Sequence, residues 1–175
     1  MEKWFPIQTP RLLLREFTAV DEDDVHEYAS DAAVVQYTDW EPNTLAQTHD
    51  RVSGYLEEQL TWPRDQVSLA VEQRTKRKVI GTIRLSIMDR ETRNANFGFV
   101  FNRRYWNRGY ASEAVGAILC VAFETLSLHR VWATSDTHNV GSWRVFEKTG
   151  CAVRAYFDAT CFKRANDETR ISMLG

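Results

Sequence analysis

Apolar positions along the chain change their period several times, and each change marks an element. Leu12-Leu13-Leu14, within Arg11–Phe17, form a short apolar run and predict a first strand. From Asp21 to Ser30 acids lead, and Val25, Tyr28 and Ala29 follow at helical spacing, which predicts a first helix. Thr44 is placed to cap a longer helix over 45–61, with Val52, Tyr55, Leu56 and Leu60 on one face and Pro63 as its stop. Val67–Glu72 and Val79–Met88 read as a hairpin across the basic turn 74–78. That charge run is expected to be a solvated loop. Asn94–Asn102 is rich in β-formers. After it, Ala111, Ala114, Val115, Ile118, Leu119, Ala122, Phe123 and Leu126 make a long helical stripe. His129–Ser135 predicts a strand, and Ser142–Thr149 a short helix stopped by Gly150. Ala152–Phe157 and Thr169–Leu174 predict closing strands. Strands on both sides of the central helix, with no linker or repeat, give one α/β domain with a mixed sheet.

The junction Arg104-Tyr105-Trp106-Asn107-Arg108-Gly109-Tyr110-Ala111-Ser112-Glu113-Ala114 carries the first chemical signal. It joins a strand end to an amphipathic helix through a glycine. The first N–H groups of a helix lack backbone partners, and the helix dipole adds roughly half an elementary charge there. Together they suit a phosphate. Gly109 supplies the turn's freedom in φ, and Arg108 adds a positive charge beside it. An ordinary strand-to-helix turn has the same appearance, so the junction acquires meaning only with a second feature. That feature is Asn139-Val140-Gly141-Ser142-Trp143-Arg144-Val145-Phe146-Glu147-Lys148-Thr149-Gly150.

Together the two segments resemble the GNAT superfamily of acyl-coenzyme A-dependent N-acyltransferases. More narrowly, they are similar to its RimJ/RimL type, which acetylates ribosomal-protein N-termini. The phosphate turn of that type reads close to Tyr-Trp-Gly-Lys-Gly-Tyr-Ala-Thr-Glu-Ala, against Tyr105 to Ala114 here. Its second signature, Asn-x-x-Ser-x-x-Val-x-Glu-Lys-x-Gly-Phe, is matched from Asn139 through Gly150, with Cys151 in place of Phe. Thr9-Pro10-Arg11-Leu12-Leu13-Leu14-Arg15 is similar to the type's first strand. The resemblance spans nearly the whole chain. It implies a single GNAT domain over 1–175, with a central mixed, mostly antiparallel sheet flanked by helices.

The implied reaction is attack of a neutral amine on the acetyl thioester of acetyl-CoA, used as co-substrate, with loss of coenzyme A thiolate. The resemblance assigns the pyrophosphate to the turn Asn107, Arg108, Gly109, Tyr110, Ala111 and Ser112. It assigns the pantetheine amides to the backbone of Phe99, Val100 and Phe101 and to the Asn139 side chain, for which capping the next helix is the alternative. Phe146 would lie on the helix face toward the cofactor, with core packing as the alternative. Ser142 would be the general acid for the departing thiolate, with a helix-capping role as its alternative. Asn107 stands where the family has a glycine, and Asn tolerates positive φ. The Glu-Gly pair that often follows the second signature is replaced by Arg154-Ala155, which leaves Asp158, Glu91 and His138 as substitute bases. A peptide α-amine, with a pKa near 8, is deprotonated at pH 7 for about 1.4 kcal/mol, and a lysine amine for roughly 4.6 kcal/mol. The acceptor expected on that ground is a protein or peptide N-terminus. A small-molecule amine such as a polyamine or aminoglycoside is an alternative, and so is a coenzyme A-binding module with little turnover. The loop Tyr37-Thr38-Asp39-Trp40-Glu41-Pro42 offers aromatics and two acids to a cationic amine, or is simply packed. A homodimer also follows from the resemblance.

Composition narrows the partners. A net charge of −2 and a pI of about 6.1 give no global basic field to recruit nucleic acid. No segment is long and apolar enough for a membrane span, and the N-terminal residues lack a signal-peptide pattern. Cys120, Cys151 and Cys161 are odd in number without CxxC spacing, so reduced thiols and a cytoplasmic location are expected. The four histidines show no ligand spacing with them, so no metal is expected.

Overall fold

The computed structural model describes residues 5–155 and 159–164, with side chains described through Cys151. Strands β1 (Ile7–Gln8), β2 (Leu12–Arg15), β3 (Gln66–Gln73), β4 (Lys78–Asp89), β5 (Asn94–Phe101), β6 (Arg130–Ser135), β7 (Ala152–Ala155) and β8 (Ala159–Arg164) form one sheet. Their spatial order is β1-β2-β3-β4-β5-β6-β8-β7. Every neighbouring pair is antiparallel except β5 with β6. The helices are α1 (Glu22–Ala29), α2 (Ala32–Val35), α3 (Leu45–Glu58), α4 (Tyr110–Cys120) and α5 (Val140–Lys148).

Two-residue alternation in the strands gives the sheet two apolar faces. On one, Leu12, Leu14, Leu69, Val71, Ile83 and Leu85 meet Val115 and Ile118 of α4 and Phe146 of α5. On the other, Ala70 and Val79 meet Phe17, Val25, Tyr28 and Val52, which brings α1 and α3 onto the sheet. Covered on both sides, the central strands β3 to β5 form a stiff floor. The Tyr28 hydroxyl is hydrogen-bonded to Thr82 at 2.6 Å within this second core. Burial pushes its phenol pKa up. Thr44 caps α3 as the sequence predicts, in a reciprocal box with Gln47.

Several boundaries differ from the expectation. Helix α3 ends at Glu58, well before Pro63. The N–H groups of Leu60 and Thr61 turn to the carbonyls three residues back, which tightens and ends the helix. Leu60 therefore leaves the shared face and is 87% exposed. The α4 stripe does not run regularly to Leu126. After Cys120 the backbone widens, and the Leu126 N–H reaches the Val121 carbonyl five residues back. Helix α5 starts two residues before Ser142, because Asn139 caps it. Strand β1 and the one-turn α2 have too few residues to set up a readable period, and β8 is a further strand the sequence did not predict. The predicted strand 169–174 lies outside the described residues.

Candidate active site

Strands β5 and β6 pair only from Asn94 to Asn96 against Arg130 to Trp132. The Asn96 side-chain amide donates to the Trp132 carbonyl at 3.3 Å and closes the seam there. Beyond it β6 continues with β8, while Phe97–Phe101 of β5 have β4 on one edge and no β6 partner on the other. The sheet thus opens between β5 and β6. The Asn102 N–H donates to the Ile80 carbonyl at 2.9 Å, which fixes the parity of the β4–β5 ladder. Backbone groups of Val100 therefore face β4, and those of Phe99 and Phe101 face the opening. This corrects the expectation for Val100, whose backbone serves the sheet. The Val100 carbonyl also lies so close to Gly81 that a Cβ there would sit 2.4 Å from it. At Phe101 the carbonyl accepts the Trp106 indole N–H at 2.8 Å. Phe99 is the residue whose two backbone groups on the open edge have no partner among the described hydrogen bonds.

At the end of β5, Asn102 caps the short turn 103–105 through the Arg104 N–H at 3.0 Å. Asn107 then has φ +57° and Gly109 φ +77°. The tolerance expected of Asn at the family's glycine position is what its backbone uses. Along α4 the Glu113 N–H bonds the Gly109 carbonyl at 3.1 Å. The N–H groups of Tyr110, Ala111 and Ser112 precede it and have no acceptor within the helix. The charge beside the turn comes from the exposed Arg108. The Tyr110 ring itself is buried against Tyr105, so only its backbone faces the site.

Two residues far away in sequence brace this turn. Arg11 donates through Nε to Glu113 at 2.6 Å and through Nη1 to the Arg108 carbonyl at 2.9 Å. Burial raises the Glu113 pKa, but bonds from Thr9 and Arg11 outweigh it and hold the carboxyl below its ordinary range. Arg74 of the basic hairpin turn donates to the carbonyls of Thr9 and Pro10 at 2.9 and 3.2 Å. Lys78, at the end of that run, binds Asp24 and Glu27 at 2.8 and 2.7 Å. The run 74–78 is thus partly structural and not simply a solvated loop.

Across the opening, the Asn139 side-chain oxygen accepts the Ser142 N–H at 3.1 Å and caps α5. Ser142 sits half-buried in the first turn of α5, so the capping role falls to Asn139 and the Ser142 hydroxyl is left for other work. Phe146 is 2% exposed and packs edge-on against Phe97 and Phe99, with ring centroids 6.0 and 6.1 Å away. Its side chain is core, the alternative the sequence left open. His138 is exposed and pairs with Asp136 at 3.0 Å. Bonds from the His138 backbone and ring hold the Asp136 carboxyl below its ordinary range. Glu91 lies in the β4–β5 turn, at the end of β5 away from the opening, which removes it as a base. Asp158 lies outside the described residues.

The model of the acetyltransferase (GNAT) domain matches residues 11–152 of this chain. The chain belongs to the GNAT acetyltransferase family. It is 33% identical to the uncharacterized N-acetyltransferase YnaD of Bacillus subtilis over 161 residues, 92% of this chain and 90% of YnaD. A GNAT-family acetyltransferase from Bacillus anthracis superposes with a TM-score of 0.81 at 29% identity, over 92% of this chain and 99% of that one. RimL, a ribosomal L7/L12 alpha-N-protein acetyltransferase solved with coenzyme A, has a TM-score of 0.76 at 15% identity, covering 91% and 97%. That last likeness is one of fold alone. This protein is therefore an N-acetyltransferase, and its co-substrate is acetyl-CoA. The residues present fit that molecule: a positive-φ turn whose N–H groups have no acceptor within the helix suits a diphosphate, and the open β5 edge suits an amide chain. Acetyl-CoA supplies the acetyl thioester that an amine attacks.

The acetyltransferase has a second hollow beside the 37–42 loop. Asp39, Trp40, Glu41 and Pro42, with Ala32 and Val35, line a cavity of about 410 Å³. Both acids are exposed, whereas the Trp40 ring is covered by the Arg51 guanidinium at 4.1 Å. The loop is thus packed at its aromatic and open at its acids, a mixture of the two roles read from sequence. No cluster of potential metal ligands occurs among the described residues, and no described helix is long and apolar enough to cross a membrane.

Proposed function

We propose that this acetyltransferase is of the RimJ/RimL type and transfers acetyl to the α-amine of a protein or peptide N-terminus. The observation that carries the reading is the scarcity of acids along the described edges of the opening, where His138 is the other candidate base. From Asn94 to Ser112 the sequence has no acid, and from Arg130 to Phe146 it has only Asp136. His138 holds that one well ionised and so weakly basic. A site of this kind suits an amine that is already partly neutral at pH 7. An α-amine meets the condition at a cost about 3 kcal/mol below that of a lysine side chain. Orientation of the two reactants then supplies much of the rate, up to roughly 7–11 kcal/mol in well-ordered cases.

In this reading the N–H groups of the 107–112 turn hold the pyrophosphate and Arg108 adds charge. Phe99 and Phe101 pair with pantetheine amides along the open edge. The Asn139 amide nitrogen donates to the same chain while its oxygen caps α5. Ser142 gives its proton to the departing thiolate. Asp39 and Glu41 attract the cationic end of the acceptor. Cys120 and Cys151 are thiols and not disulfide halves, which suits a reducing cytoplasm.

The test is an acceptor panel at pH 7 with thiol release as the readout. Peptides with a free α-amine should exceed α-blocked lysine peptides and spermidine by about a hundredfold in kcat/KM, and the margin should shrink as pH rises. A polyamine or blocked lysine peptide that matches the free α-amine peptides at pH 7 contradicts the reading.

A further inference from the structure

The turn at 107–112 is not shaped by its own residues alone. Arg11 enters from the segment before β2 and ties three points around Gly109. Its Nη1 donates to the Arg108 carbonyl at 2.9 Å. Its Nε and backbone N–H donate to Glu113 at 2.6 and 2.9 Å. Its guanidinium lies 4.4 Å above the centre of the Tyr110 ring. Neighbouring contacts lock these partners in turn. The Thr9 hydroxyl donates to Glu113 at 2.6 Å, and the Tyr110 hydroxyl accepts from the Gln73 amide at 2.8 Å.

The hydrogen bond to the Arg108 carbonyl has a directional consequence. That carbonyl and the Gly109 N–H belong to one planar trans peptide, and so point in opposite directions. The peptide stands between Asn107 at φ +57° and Gly109 at φ +77°, and glycine imposes little barrier of its own to a peptide flip. Turned over, the unit would present a carbonyl oxygen to an anion in place of an N–H. Arg11 holds the carbonyl on the protein side, which leaves the N–H facing out.

We propose that Arg11 is a positioning residue for acetyl-CoA, acting through the 108–109 peptide to keep the Gly109 N–H aimed at the pyrophosphate. The proposal rests on the reading that the 107–112 turn holds that group. Only the diphosphate half of the donor is affected, so S-acetylpantetheine, which lacks it, is the control. In Arg11→Gln, KM for acetyl-CoA should rise about tenfold with kcat within about twofold, since a charged hydrogen-bonding group is lost. kcat/KM for S-acetylpantetheine should stay at the wild-type value. Arg11→Lys should recover only part of the loss, because one ammonium cannot serve Glu113 and the Arg108 carbonyl with the same fork. Equal losses with both donors, or none with either, overturn the proposal. If Arg11→Gln does not fold, Glu113→Gln replaces it, with a smaller loss of the same selectivity expected and an unselective loss overturning it. Gly109→Trp in the same assay separates the two layers. Selective loss there without selective loss at Arg11 removes only Arg11, whereas no selectivity at Gly109 removes the phosphate reading and Arg11 with it.

Discussion

The two edges of the opening are built differently. The turn after β5 is held by a residue remote in sequence: Arg11 reaches Glu113 and the Arg108 carbonyl, 102 and 97 positions away. The α5 edge is held by its neighbours, with Asn139 bound to Ser142 and His138 to Asp136. Binding an anion with backbone N–H groups requires them fixed beforehand, since a mobile turn would lose part of its affinity to ordering. In the proposed function the thioester end has a lighter task, presenting one hydroxyl and one amide to a chain already anchored. The proposed function thus implies a division of labour: cross-braced structure for affinity, local structure for chemistry.

The comparison breaks first where the edges meet. Phe146 of α5 packs on Phe97 and Phe99 of β5 and is the side chain that joins them. Phe146→Ala should cost about 3–5 kcal/mol in denaturant unfolding; a loss under about 1 kcal/mol would mean that the edges are held together elsewhere. Ser142→Ala sharpens the chemical side. It should lower kcat about a hundredfold with little change in acetyl-CoA affinity, and an unchanged kcat removes Ser142 from the mechanism. Asn139→Ala should cost about 1 kcal/mol of stability through the lost cap, with a lower kcat and an intact turn. Equal disturbance of CoA binding and turnover would erase the division between the edges.

The smallest effect is acid sensitivity of the braced edge. The folded Glu113 carboxyl lies below its ordinary value of 4.5. Its contribution to stability is therefore complete above about pH 4.5 and is lost as pH falls toward the folded value. Glu113→Gln should be less stable than wild type near neutrality, with the gap closing below that pH. A gap that stays constant from pH 7 to pH 3 would show that the ion pair does not contribute.

Local features were legible in the sequence. Gly109 and Asn107 announce a positive-φ turn, Thr44 a helix cap, and the α4 stripe a buried helix, because each depends on residues within a few positions. The Asn139 segment was legible as a unit, although its cap and its proposed cofactor role looked alike until the side-chain oxygen was seen bound to Ser142. What escaped was relational. The β5–β6 divergence is a property of two strands separated by a helix. The turning of Val100 toward β4 depends on a register set by Ile80 and Asn102. Arg11 stood in a segment recognised for its strand, with no local sign that its side chain serves α4. Leu60 kept the period of α3 after the backbone had left it.

The most direct test of the account is thermal unfolding with and without millimolar acetyl-CoA, in wild type and in Gly109→Trp. Gly109 has φ +77°, so a tryptophan there strains the turn, and its Cβ would lie 3.4 Å from the Arg11 guanidinium that braces it. Wild type should gain about 2.7 kcal/mol at a hundredfold excess over Kd, seen as a raised midpoint. The variant should fold and show no such rise. An equal rise in both proteins would place acetyl-CoA away from the 107–112 turn and contradict the account.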